Sequence, residues 1–90
     1  MTEHELKLNQ KYYDAVKNGF KTFEVRKNDR DFRIGDDLYL VKVREDGENI
    51  LDGHGRKHTL HAAVTYILTH DDFPDGVPEG YVVMSIKVIG

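Results

Sequence analysis

Three side chains within six residues carry chemistry at a usable spacing: Lys21, Glu24 and Arg26 in the stretch "GFKTFEVR". If this stretch is extended, Thr22, Glu24 and Arg26 lie on one face, because side chains alternate along a strand. Phe23 and Val25 then lie on the other. Lys21 sits where a helix gives way to the strand, so it is free to turn over the same face. A carboxylate flanked by an ammonium and a guanidinium can recognise a polar heterocycle. Glu24 would accept from an amino group, and Lys21 and Arg26 would donate or meet phosphate. Partial burial would also let Lys21 act as a base. The plainer alternative is a same-face ion pair on an exposed sheet, worth well under ~1 kcal/mol.

The surrounding elements follow from periodicity. "HELKL", His4 to Leu8, alternates and reads as a short strand. Asn9 is a suitable N-cap for a helix from about Gln10 to Asn18, with Tyr12 or Tyr13, Val16 and Phe20 at three- to four-residue spacing and Asn18-Gly19 as its stop. Lys21 to Arg26 is a strand. "RKNDRDFRIGD" is a charged loop, and "DLYLVKVR", Asp37 to Arg44, is a second strand of strong β-formers. "EDGEN" and "DGHG" are turns. Lys57 to Thr69 fits either helix or strand, its second half favouring strand. His70 to Gly80 holds both prolines and is a loop; Tyr81 to Ile89 is a nearly continuous apolar strand. One early helix, about five strands and no βαβ spacing predict a small mixed sheet curled into a barrel, with the helix over one opening.

Ninety residues make one domain, 1–90, with a thin core. Without cysteine, disulfides, thiolate metal sites and cysteine nucleophiles are excluded. No apolar run is long enough to span a membrane, and "MTEHELKLNQ" lacks the form of a secretory signal, so a soluble cytoplasmic protein is expected. The net charge of −3 argues against wholesale electrostatic nucleic-acid binding. Between Ala15 and Arg33, however, six cations face three acids, a local +3 that leaves −6 for the rest. Such a basic island can attract an anionic ligand, or it can be a solvated mixed-charge surface.

Other motifs weigh less. Neither a Walker loop nor a dinucleotide GxGxxG pattern is present, and Gly53 and Gly55 read as turn glycines. His54, His58 and His61 form H-x3-H-x2-H. On a strand His58 and His61 face opposite ways, whereas a helical first half could bring them together, but no nearby carboxylate completes a recognised pattern, so no metal site and no cofactor is expected.

"GFKTFEVR" followed by "IGD" at Ile34 to Asp36 resembles the G-x-K-x-x-E-x-R core of ASCH domains, members of the PUA-like superfamily of small β-barrels. With "KTFEVRKNDRDF" and the final "EGYVVMSI", the resemblance spans nearly the whole chain and points to a short, stand-alone prokaryotic or phage branch. It implies a cleft beside the helix lined by Lys21, Glu24 and Arg26, with Gly19, Gly35 and Asp36 as structural elements, and a role in binding RNA or a nucleotide. An enzymatic subgroup that the chain is similar to in size acts as an amidohydrolase on acetylcytidine. That subgroup uses a threonine where this chain has Glu24, with a later glutamate for which Glu79 is a loose counterpart. Three readings result. The first is an RNA- or nucleoside-binding module using Lys21, Thr22, Glu24 and Arg26, with Arg30 and Arg33 on phosphate and Tyr12, Tyr13 or Tyr66 as a stacking surface. The second is a small amidohydrolase on an acylated nucleoside, with Lys21 and Glu24 catalytic. The third is a phage-encoded domain docking on a host protein through its basic island.

Overall fold

A computed structural model describes residues 1–90 as β1 (Glu3–Asn9), α1 (Gln10–Lys17), β2 (Phe23–Lys27), β3 (Asp37–Val43), β4 (Thr59–Thr69) and β5 (Tyr81–Val88). The architecture is α+β. One five-stranded sheet, ordered β1-β3-β4-β5-β2, curls into a half-barrel, with α1 packed on β1 and β3. The sheet is mixed: β1 runs parallel to β3, and all other pairs are antiparallel. No helix is long and apolar enough to cross a membrane.

Alternation decides which residues build the core. Leu6 and Leu8 on β1, Leu38 and Leu40 on β3, and Val82, Met84 and Ile86 on β5 all turn inward, where α1 contributes Tyr13 and Val16. Phe20, expected on the helix's apolar stripe, instead lies beyond its end and faces solvent. The segment that fitted either helix or strand, Lys57 to Thr69, is strand from Thr59 onward. It pairs with β3 through Thr59–Ala63 and with β5 through Ala62–Thr69, and a bulge between Val64 and Tyr66 resets the register as the strand bends from one neighbour to the other.

The loop between β2 and β3 is more than a charged surface segment. Phe32 is buried in the core cluster and meets the His4 ring edge-on, with centroids 4.7 Å apart. Asp36 is buried nearby. Its Oδ2 accepts from Arg33 N at 2.9 Å and from His4 Nε2 at 2.9 Å, and its Oδ1 accepts from Thr2 N at 3.1 Å. This residue thus ties the loop to the first strand. Burial pushes its pKa up, but the hydrogen bonds from His4 and from the backbone of Thr2 and Arg33, with the His4 charge, outweigh that and hold it below the ordinary 3.8.

The half-barrel is open between its edge strands. β1 and β2 share no ladder; the gap is bridged by side chains, Arg26 Nη2 donating to Lys7 O and Arg30 Nη1 to Glu5 O, each at 2.7 Å.

Candidate functional site

The seam between β1 and β2 forms a cleft of about 650 Å³, roofed by α1. Local sequence explains how its side chains get there. Asn9 ends β1 and caps α1, its side chain accepting from Lys11 N at 2.9 Å. That places Tyr13 inward and leaves Tyr12 facing the cleft, half-exposed. At the other end of α1, Gly19 adopts φ +81°, and the amides of Phe20 and Lys21 both return to Ala15 O at 2.9 and 3.1 Å. The chain therefore doubles back under the helix and delivers Lys21 beside Tyr12. Ile86 N then donates to Thr22 O at 3.0 Å, fastening the start of β2 to β5.

On β2 the polarity is inverted relative to an ordinary half-buried strand. Glu24 points inward and is 2% exposed, whereas Phe23 and Val25 point outward and are 45% and 51% exposed. This corrects the alternative in which Glu24 and Arg26 lie on an open sheet surface. The carboxylate is matched on both oxygens. Lys21 Nζ donates to Oε1 at 2.6 Å and Arg26 Nε to Oε2 at 2.7 Å. Lys21 Nζ also donates to Phe23 O at 2.7 Å, and it lies 4.9 Å from the Phe23 ring centroid and 5.5 Å from that of Tyr12. Its nitrogen faces two acceptors and serves both as a hydrogen-bond donor. Arg26 continues across the seam to Lys7 O. A buried carboxylate with two partly buried cations costs desolvation that geometry must offset, and here both oxygens are engaged, along with Lys21 donors to Glu24 and Phe23 O and Arg26 donors to Glu24 and Lys7 O.

The structure brings Lys21, Glu24, Arg26 and Tyr12 together, with Leu8, Phe23 and Val25 supplying apolar walls. It leaves the other expected residues outside. Thr22 precedes β2, is exposed and does not line the cleft. Arg30 is spent on Glu5 O, and Arg33 pairs with Asp31 at 2.9 Å on the surface, a contact that raises the guanidinium's pKa chiefly through the hydrogen bond to that carboxylate. Tyr13 is core, and Tyr66 is exposed on the outer sheet face. Glu79 lines a separate groove of about 230 Å³ with Asn28, His70 and Asp71. His61 donates from Nε2 to Asp37 Oδ1 at 2.8 Å and stacks on Tyr39, and no three His, Asp or Glu side chains converge as for a metal. Lys7, Leu8 and Asn9 were not foreseen as site residues. The signal for them was strand order, since only an edge position for β1 sets it opposite β2.

Comparison with known proteins places this arrangement in a family. The family model described as "Domain of unknown function (DUF3850)" matches residues 3–86. An "Uncharacterized 12.9 kDa protein in GpA 3'region" of Escherichia phage P2 is 51% identical over 37 residues, which are 41% of this chain. That match spans 34%, about a third, of the phage protein's length. Among solved structures, the one titled "Crystal structure of hypothetical protein PH0355" aligns with a TM-score of 0.60 at 19% identity, covering 99% of this chain and 100% of that one. This last likeness is one of fold.

Proposed function

The chain belongs to the DUF3850 family, and we propose that it is an ASCH-like binding module that takes a nucleoside or single-stranded RNA base into the cleft between β1 and β2. The observation that carries the reading is the buried Glu24, held from both sides by Lys21 and Arg26 in a cleft walled by the Tyr12 and Phe23 rings. The residues of the G-x-K-x-x-E-x-R pattern thus share one cavity, as its resemblance to ASCH domains implies. Aromatic rings beside fixed hydrogen-bonding groups suit a flat polar ligand.

The pairing also sets a preference among bases. Both Glu24 oxygens are already matched, and the unspent polar groups are the remaining Lys21 hydrogen and the outer Arg26 hydrogens. The cleft therefore offers donors, and it favours a base edge with two adjacent acceptors, such as O2 and N3 of cytosine, over the edge of adenine, where an amino donor stands beside a single ring nitrogen. Binding is favoured over hydrolysis because no serine or threonine lines the cleft to serve as nucleophile. Thr22 lies outside it, and Glu79 lines the other groove.

A backbone NMR titration with cytidine, acetylcytidine, adenosine and a short single-stranded RNA tests this. Expected are shifts concentrated at Tyr12 and Lys21 to Arg26, larger for the cytidines than for adenosine, and lost in Glu24→Gln. If none of these ligands moves those resonances, the proposal fails. Acetate released from acetylcytidine would replace binding with the amidohydrolase reading.

A further inference from the structure

The outward side chains of β2, β5 and the second half of β4 lie outside the core, only Phe23 and Val25 among them also lining the cleft, and their composition is unusual for an exposed sheet. A sheet with one covered face ordinarily turns polar residues to water. Here Phe23 and Val25 on β2, Tyr81 and Val83 on β5, and Tyr66 and Leu68 on β4 stand outward. Phe23 and Tyr66 both pair with Ser85, one from each side. Two half-exposed rings therefore stand two strand spacings apart, roughly 9.5 Å, with only a small hydroxyl side chain between them. One row further along, Val25, Val83 and Leu68 are aligned, and beyond them Tyr81 pairs with Lys27.

The charge on this face is equally one-sided. The chain has 16 acids against 13 bases, yet no outward position of β2 or β5, nor of β4 beyond its bulge, is acidic. Lys27 and Lys87 lie at its ends. The outer face of β1 and β3, by contrast, carries Glu3, Glu5 and Asp37. A second copy docked face to face would bring lysine-bearing strands together with no acid on the strands themselves to meet them. A polyanion bearing flat apolar groups meets both features at once. The face is also continuous with the cleft: Phe23 and Val25 belong to both, and Lys21 Nζ lies 4.9 Å from the Phe23 ring centroid.

We infer that a single-stranded RNA whose base enters the cleft continues across this face, its following bases laid on Phe23, Tyr66 and Tyr81 and its phosphates met by Lys27 and Lys87. The inference rests on the cleft reading above and extends it from one nucleoside to a strand.

Calorimetric titration of the wild type, Tyr66→Ala and Tyr66→Phe with cytidine and with a six-nucleotide oligocytidine RNA separates the two. Tyr66 is 58% exposed and outside the cleft, so its removal leaves the fold intact. The expected result is that the hexamer binds the wild type more tightly than cytidine does. Tyr66→Ala should weaken the hexamer roughly 5- to 150-fold, the scale of one lost base–aromatic stack, with cytidine unchanged and Tyr66→Phe close to wild type. Cytidine binding with a hexamer no tighter, or a hexamer indifferent to Tyr66→Ala, overturns the extension and leaves the cleft reading standing. Hexamer binding that depends on Tyr66 without any cytidine binding supports the face and sinks the cleft. Sedimentation showing dimers that Tyr66→Ala dissociates would assign the face to self-association instead and overturn the inference.

Discussion

Glu24 concentrates the energetic argument at the level of single residues. A carboxylate 2% exposed and matched by two cations is tolerated only while both remain in place. Glu24→Gln keeps the volume but leaves Lys21 and Arg26 as like charges around a neutral amide. Because both cations retain some access to water, the cost should fall below that of a fully buried broken pair, at about 1–3 kcal/mol, read from the denaturation midpoint. A variant as stable as the wild type would show that the three groups are not coupled. Asp36 gives a prediction of pH dependence. Its folded pKa lies below its ordinary 3.8, so its contribution to stability is complete above that value and is lost as pH falls below 3.8 through the depressed folded value. Asp36→Asn should therefore cost about 1–3 kcal/mol at neutral pH, since three donors lose a charged acceptor, and it should flatten the acid limb of the stability curve. An acid limb unchanged in Asp36→Asn would assign it to other carboxylates. The chemistry of these two residues was legible to different degrees in sequence. The spacing put Glu24 and Arg26 on one strand face, and the resemblance to ASCH domains brought Lys21 to the same cleft. Alternation separated them from Phe23 and Val25 but could not say which set faces inward, because a period of two is the same for either choice. Nor did any local signal show Asp36 bound to His4, thirty-two positions away.

At the level of elements, the short α1 and its two ends set the cleft. The Asn9 cap and the Gly19 stop were both readable from residue type, because only a few side chains serve those backbone states. Phe32 was hidden, since one apolar residue inside a charged run gives no periodicity. The second half of Thr59–Thr69 was readable as strand from its β-formers, but the strand character of the first half was hidden, because the pairing is shared between β3 and β5 on either side of a bulge. Gly19 supplies the element-scale test. At φ +81° any residue with a Cβ is strained, yet nothing lies within 4 Å of the site where that atom would stand. Gly19→Ala should thus cost only the backbone term, roughly 1–2 kcal/mol, and Gly19→Asn less, as followed by thermal unfolding. Because Lys21 follows the turn by two residues, the alanine variant should also displace the amide resonances of Lys21 and Glu24. Equal stability of all three proteins would mean that the turn is not the constraint that returns the chain to Tyr12.

On the scale of the whole molecule, the basic island seen in sequence does not survive folding as one surface. Lys21 and Arg26 share the Glu24 carboxylate, Arg30 is committed to a carbonyl of β1, and Arg33 is paired with Asp31. What the fold creates in its place is a sheet face with no acid on its strands, assembled from the consecutive strands β4 and β5 and from β2, which lies far from them in the chain and joins them only through the strand order. No window along the sequence contains it, so net charge by segment could not reveal it. The consequence is a specific salt dependence. If Lys27 and Lys87 meet phosphates, the affinity for a single-stranded hexamer falls with rising salt, and each Lys→Gln substitution lowers the magnitude of the log–log slope by about 0.7. Arg33→Gln, which removes a charge already offset by Asp31 outside the cleft, should leave that slope unchanged. Hexamer affinities measured across a salt series in the three single variants compare the two arrangements directly. A slope that responds to Arg33 but not to Lys27 or Lys87 would return the phosphate contacts to the loop between β2 and β3, where the linear charge pattern had put them.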